Sequence, residues 1–222
     1  MILFFLGIVS VCFLGFAHYW GLFIAPPDRM MGDVYRILFV HVPAAWMALL
    51  FCFLNFLGSI LYLLQKTQVW QRRRVWDRFA HASAEIAVVM TGLAVALGSI
   101  WGRPTWGVWW TWDPRLTTTA LLFILYMGTL ILRRLLEDPE RRAKVVASLG
   151  VLLFINVPIV YLSVKWWRSL HQMQSSPETM APSMVIALRM NAVALLGVCL
   201  FLLWVRLRLA KKEERLEEGG ES

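Results

Sequence analysis

This chain is short of charge and nearly without cysteine. Only 16% of its 222 residues are charged, against about a quarter in an ordinary soluble domain. The hydrophobic share is 59%, more than a water-soluble core of this size needs. The three cysteines, Cys12, Cys52 and Cys199, lie inside apolar stretches. None belongs to a CxxC or CxxCH spacing, which excludes a zinc knuckle and thioether attachment of a prosthetic group. A fixed-period repeat and a second, polar domain are also missing. The net charge of +8 is spread in short runs between apolar windows, a pattern that sets membrane orientation and argues against nucleic-acid binding.

What the chain does have is long apolar runs. A helix needs about 20 mostly apolar residues to cross the hydrocarbon layer. Six windows qualify: Ile2 to Ile24, Val42 to Leu64, Phe79 to Ile100, Leu116 to Leu132, Val145 to Val164 and Met184 to Val205. Backbone in lipid must satisfy its own hydrogen bonds, and none of the windows alternates as barrel strands do. The expected fold is an all-α, polytopic bundle of six transmembrane helices joined by short loops. The first window has no basic stretch before it and no small-residue cleavage pattern ahead of His18-Tyr19-Trp20, so it reads as a retained span rather than a signal peptide.

Basic residues orient the bundle. Fifteen fall on one side: Lys66, Arg72, Arg73, Arg74 and Arg78; Arg133, Arg134, Arg141, Arg142 and Lys144; Arg206, Arg208, Lys211, Lys212 and Arg215. The opposite loops hold six, namely Arg29, Arg36, Arg103, Arg115, Lys165 and Arg168. The excess puts both termini in the cytoplasm. Residues 1–205 then form the membrane domain, and 206–222 a charged cytoplasmic tail whose mixed signs and terminal glycines read as a solvated, frayed end.

Chemistry has to sit in the loops. Between the third and fourth spans the sequence reads WGRPTWGVWWTWDPRLT, with Trp101, Trp106, Trp109, Trp110 and Trp112 in one outer segment. An interfacial belt accounts for one or two tryptophans. Five, interleaved with Gly102, Pro104 and Gly107, point to a shaped aromatic surface suited to a large flat apolar partner such as a porphyrin. Asp113 followed by Pro114 has the form of a helix N-cap with proline at the first helical position, and that structural role is preferred to a ligand role.

Histidine is the usual axial ligand of haem iron. His41, at the outer end of the second span, and His171, in the last outer loop, share a side with the tryptophans. His81 belongs to the cytoplasmic end, and His18 has no matching context. Propionates favour arginine, for which Arg36, Arg103, Arg115 and Arg168 are the outer candidates. Arg189 lies inside the sixth span, where an unpaired charge costs at least about 2.5 kcal/mol. Its depth differs from that of Glu85 by more than about 10 Å at 1.5 Å per residue, so the two are not expected to pair. Arg189 is expected to reach outward to the site, and Glu85 to be protonated or to be bound to a neighbour at the inner end or to a partner protein.

These segments together, YRILFVHVPAAW around His41, WGRPTWGVWWTWDPRLT and NVPIVYLSVKWWRSLHQ leading to His171, resemble the cytochrome c maturation protein C family, within the wider group marked by a tryptophan-rich WWD loop. The likeness covers nearly the whole chain. It implies a protein of the bacterial inner membrane that binds haem b transiently and non-covalently at its periplasmic face and delivers it to a membrane-anchored haem chaperone. His41 and His171 would be the axial ligands, with the tryptophans supporting the ring. It also implies a small single-span accessory protein and ABC transporter subunits as partners, and haem transfer rather than enzymatic catalysis. Two other readings stand beside it. A haem permease would need polar residues along the spans, which are nearly charge-free apart from Glu85 and Arg189. A b-type electron-transfer cytochrome would need histidine pairs at two depths, and one outer pair is found.

Overall fold

The computed structural model describes residues 2–65, 70–171 and 180–220. The described part is almost entirely helical and contains no strand, and six helical segments are long and apolar enough to cross a membrane. In chain order the α-helices are α1 (Ile2–Tyr19), α2 (Leu38–Leu64), α3 (Trp70–Trp106), α4 (Pro114–Leu135), α5 (Pro139–Leu153), α6 (Asn156–Trp166) and α7 (Pro182–Gly220). A π-helical turn, Trp20–Ile24, ends α1, and a 3-10 turn, Asp33–Ile37, leads into α2.

Three segments depart from the windows expected of them. α3 starts nine residues before Phe79 and runs six past Ile100, so Trp101 and Trp106 stand on a helix rather than in a loop. The fifth window is two helices, α5 and α6, broken at Phe154 and Ile155. Pro158 has no N–H for the Phe154 carbonyl. That carbonyl instead accepts from the Val157 N–H at 3.0 Å, and Leu152 O from the Ile155 N–H at 3.2 Å, in tighter turns. The tail expected to fray continues α7 as far as Gly220, because KKEERLEE is built of good helix formers with charges of both signs at helical spacing. Lys66, among the orienting residues, and Glu221 and Ser222 lie outside the described residues.

α2 and α3 form the centre, packed along each other, with α4, α5 and α7 against them and α1 on α7. Lipid gives helices no hydrophobic reason to associate, so close approach through small residues has to serve. Ala80, Ala84, Ala87 and Ala94 share a buried face of α3. A Cβ on Gly58 of α2 would lie 3.0 Å from the Ala80 N and Cβ. On the outside, Phe5, Ile8, Phe23, Val89, Ile124 and Val193 are all more than 60% exposed, as lipid-facing side chains are.

Two ion pairs between helices lie at the end opposite the tryptophan loop. Arg133 makes a two-pronged bond to Asp77 at 2.8 and 2.7 Å. Glu85 accepts from Arg206 Nε at 2.6 Å and lies 3.4 Å from His81 Nε2. Its neighbours are thus at the inner end, the second of the three alternatives open for it. Replacing Gly58 by leucine is expected to push α2 from α3 at a cost of about 1–3 kcal/mol, seen as a lowered midpoint of thermal unfolding in detergent. An unchanged midpoint would show that this contact does not hold the centre together.

Candidate functional site

A cavity of about 350 Å³ opens at the tryptophan end, between α2, α3, α4 and α6. Its α3 wall is made of small side chains at helical spacing. Ala94, Gly98 and Gly102, each four residues on from the last, line it and therefore share a face. Gly98 makes room for a histidine, since a Cβ there would sit 3.1 Å from His41 Cε1. Gly102 does the same for Trp106, whose ring carbon Cε3 is 3.1 Å from where its Cβ would be.

His41 projects into this space from the start of α2. It is 8% exposed, and its Nδ1 is buried with no hydrogen-bond partner. Trp101 packs edge-on against the imidazole at 5.7 Å and Tyr35 against Trp101 at 6.2 Å. His171 arrives from the segment after α6, its ring centre 6.4 Å from that of His41 and inclined by 40°. Trp106 lies 6.5 Å from His171 on the other side.

Asp113 fixes that second histidine. Its carboxylate caps α4, accepting from the Arg115 N–H at 2.8 Å, as its Asp-Pro sequence predicts. It also accepts from Ser169 Oγ at 3.0 Å and from the Leu170 N–H at 2.7 Å. Ser169 Oγ in turn accepts from the His171 N–H at 3.0 Å. The buried carboxylate therefore ties the head of α4 to the two residues before His171, a role beyond the cap that sequence reasoning missed.

The tryptophan segment divides in two. Gly107, at φ +79°, takes a backbone conformation that only glycine adopts freely. Arg103 Nη1 donates to the Gly107 carbonyl, and Ser99 Oγ donates to Trp109 O at 2.8 Å, so the loop folds back on the end of α3. Trp101, Trp106 and Trp110 line the cavity as a result. Trp109 and Trp112, expected in the same platform, point out of it and are 58% and 83% exposed.

Of the candidate arginines only Arg115 lines the cavity. Its Nη1 donates to the carbonyls of Val160 at 2.6 Å and Tyr161 at 3.3 Å. Arg36 is engaged elsewhere, donating to Leu22 O at 2.8 Å and pairing with Asp33 at 3.2 Å. Arg103 is spent on the loop, and Arg168 is exposed outside the cavity. Arg189 is exposed on α7 and does not reach the site. The cause is rotation: Asn191, two residues on, is buried against α1, bonding Ala17 O at 2.8 Å and His18 Nδ1 at 2.5 Å. Two residues are about 200° around a helix, so Arg189 faces away.

A family model described as Heme exporter protein C matches residues 1–219. The chain belongs to the haem exporter protein C family. Its relatives include Heme exporter protein C of Bradyrhizobium diazoefficiens, 37% identical over 86% of this chain and 73% of the relative. The Escherichia coli K12 protein of the same name is 34% identical over 91% and 81%. A putative cytochrome c biosynthesis ccmC-like mitochondrial protein of Marchantia polymorpha is 39% identical over 72% of this chain, which spans 64% of that relative's length. In this member of the haem exporter protein C family, Asp113→Ala removes the acceptor for three hydrogen bonds. The expected cost is about 1.5–3 kcal/mol for each such bond to a charged group. The first sign should be faster amide hydrogen exchange at Leu170 and His171, and exchange unchanged there would rule out the tether.

Proposed function

We propose that this chain is a haem-handling subunit of c-type cytochrome maturation that holds haem b non-covalently between His41 and His171 and passes it to a membrane-anchored haem chaperone. The reading rests on one observation, the 6.4 Å between the two imidazole centres. Metal to imidazole nitrogen is about 2 Å, and a ring centre lies about 1 Å behind its nitrogen, so two imidazoles on opposite sides of one metal stand about 6 Å apart. A porphyrin would supply the remaining coordination positions through its nitrogens.

The surroundings suit such a ligand. The walls are mostly apolar, His41 Nδ1 is buried without a hydrogen bond, and Gly98 and Gly102 let the His41 and Trp106 rings lie close against α3. Trp101, Trp106 and Trp110 supply aromatic surface. Arg115 spends one guanidinium nitrogen on backbone carbonyls and keeps N–H donors for a propionate. The excess of basic residues at the opposite end supports a site on the outer side of a bacterial inner membrane, with both termini cytoplasmic. Binding and transfer are the role, and any covalent attachment takes place on the chaperone. Trp109 and Trp112, exposed beside the cavity, offer the chaperone its contact. ABC transporter subunits and a small single-span protein complete the assembly.

Haem-loaded protein is expected to be low-spin and six-coordinate. His41→Ala and His171→Ala should each give a five-coordinate spectrum, and the double variant should bind haem at least about 10–100-fold more weakly. An unchanged spectrum in the double variant would sink the axial assignment. Trp112→Ala should keep the wild-type spectrum yet slow transfer to the chaperone by about tenfold, measured as covalent haem on the chaperone with time. Transfer at the wild-type rate would remove the exposed tryptophan from the docking surface.

A further inference from the structure

The cavity does not stop at the loops. Its lining runs down α2 from His41 through Ala45 and Trp46 to Leu49, and down α3 to Thr91. Trp46 is eight residues below the start of α2, about 12 Å at 1.5 Å per residue, which is within the outer half of a hydrocarbon layer of about 30 Å.

At that depth one wall is open. Toward the middle of the bundle the seam between α2 and the fifth span is shut by Phe56 stacked on Phe154 at 4.2 Å, with Phe53 beside them at 5.8 Å. α5 packs along α2 below this point, whereas α6 leaves it and packs on α4. Two contacts hold α6 there: Asn156 Nδ2 donates to Thr118 O at 3.0 Å, and Arg115 donates to Val160 O at 2.6 Å. The break at Phe154 and Ile155 is what lets the chain change direction. Trp46 stands on the same face of α2 as Phe53, seven residues earlier, above the point of divergence. Trp46 and, across the gap, Tyr161 of α6 both line the cavity and are 41% and 48% exposed, on helix faces where Phe53 and Lys165 are exposed without lining it. Side chains that face a cavity and the exterior at once mark its mouth.

We propose that the slot between α2 and α6, with Trp46 and Tyr161 as its jambs, is a lateral portal through which a flat amphipathic macrocycle passes between the outer leaflet of the bilayer and the space between His41 and His171. The inference rests on the haem-binding reading and adds the route. A flat apolar ring enters edge-first through a slot between two helices, with no need to cross the aqueous face. Arg115, inside the slot, stays at the end where a trailing carboxylate meets water. The helix break therefore does two things at once, closing the inner half of the bundle and opening the outer half.

The test uses the full chain in proteoliposomes. Trp46→Cys and Tyr161→Cys are combined in a Cys12→Ala background, which removes the exposed native thiol, and are bridged with a cleavable bifunctional thiol reagent. Haemin dissolved in the bilayer is expected to load the bridged protein roughly tenfold more slowly than the unbridged protein, with the rate restored on cutting the bridge. Trp46→Ala, widening the mouth, should release haem faster by a similar factor. Equal loading with the bridge closed and cut overturns the portal and leaves the bis-histidine site standing. Failure of the unsubstituted protein to bind haemin overturns the site and the portal with it. Should the paired variant not fold, release at the same rate from Trp46→Ala and the unsubstituted protein overturns the portal alone.

Discussion

The buried carboxylate of Asp113 joins segments 56 residues apart in the chain, and the geometry of the site hangs on it. His41 needs no such help, because α2 carries it. His171 follows α6 by a few residues, and nothing in a helix determines where it goes. Asp113 solves this by serving two customers from one position: α4, whose first N–H groups need an acceptor, and the Ser169–Leu170 backbone. A carboxylate accepts through two oxygens with several lone pairs, so both demands are met by one buried charge. The separation of the two imidazoles is thereby referred to the capped start of α4.

A second constraint is the break in the fifth span. A continuous helix from Pro139 to Trp166 would keep α2 covered along its whole length. Pro158 removes one hydrogen bond, and the tight turns at Leu152–Ile155 and Phe154–Val157 recover the lost partners. Membrane backbone tolerates such an interruption only where its polar groups are met again. Asn156 and Arg115 then use the redirected helix, binding it to α4. Arg115 thus holds a wall of the cavity open and presents charge inside it.

How far this was legible depended on how local each signal was. Six spans follow from hydropathy, and the Asp113 cap from two adjacent residues. The fifth span reads as one window because hydropathy does not register a missing N–H, although the NVP sequence carried the signal. The tryptophans were read as one surface, but which rings turn inward is decided by the positive φ at Gly107 and by Ser99 reaching Trp109 from ten residues away. The arginines show the same limit. Depth can be counted along a helix, which is how Glu85 and Arg189 were separated, but facing cannot, because the rotation of α7 is set by Asn191 meeting α1. The Ala94, Gly98, Gly102 spacing is present in the sequence, but nothing local separates it from the many other small residues of α3.

A site that must hand on its ligand faces a different optimum from one that keeps it. Tight retention calls for closed walls and strong first contacts, and affinity differences among related complexes are expressed mainly in release rates. In the proposed site the contacts would be an aromatic surface, one arginine already half engaged, and two imidazoles of which one stands on a segment outside any helix. Rigid support on the α2 and α3 side keeps His41 in place, while His171 depends on three hydrogen bonds through Asp113 and Ser169. Loss of those bonds would free the proposed ligand His171 without disturbing the bundle, since neither α2 nor α3 takes part in them. The weaker half of the site is also the half that lies next to the exposed Trp112. A partner that competes for the Ser169–Leu170 segment would therefore loosen the ligand by the same contact that brings it to the protein.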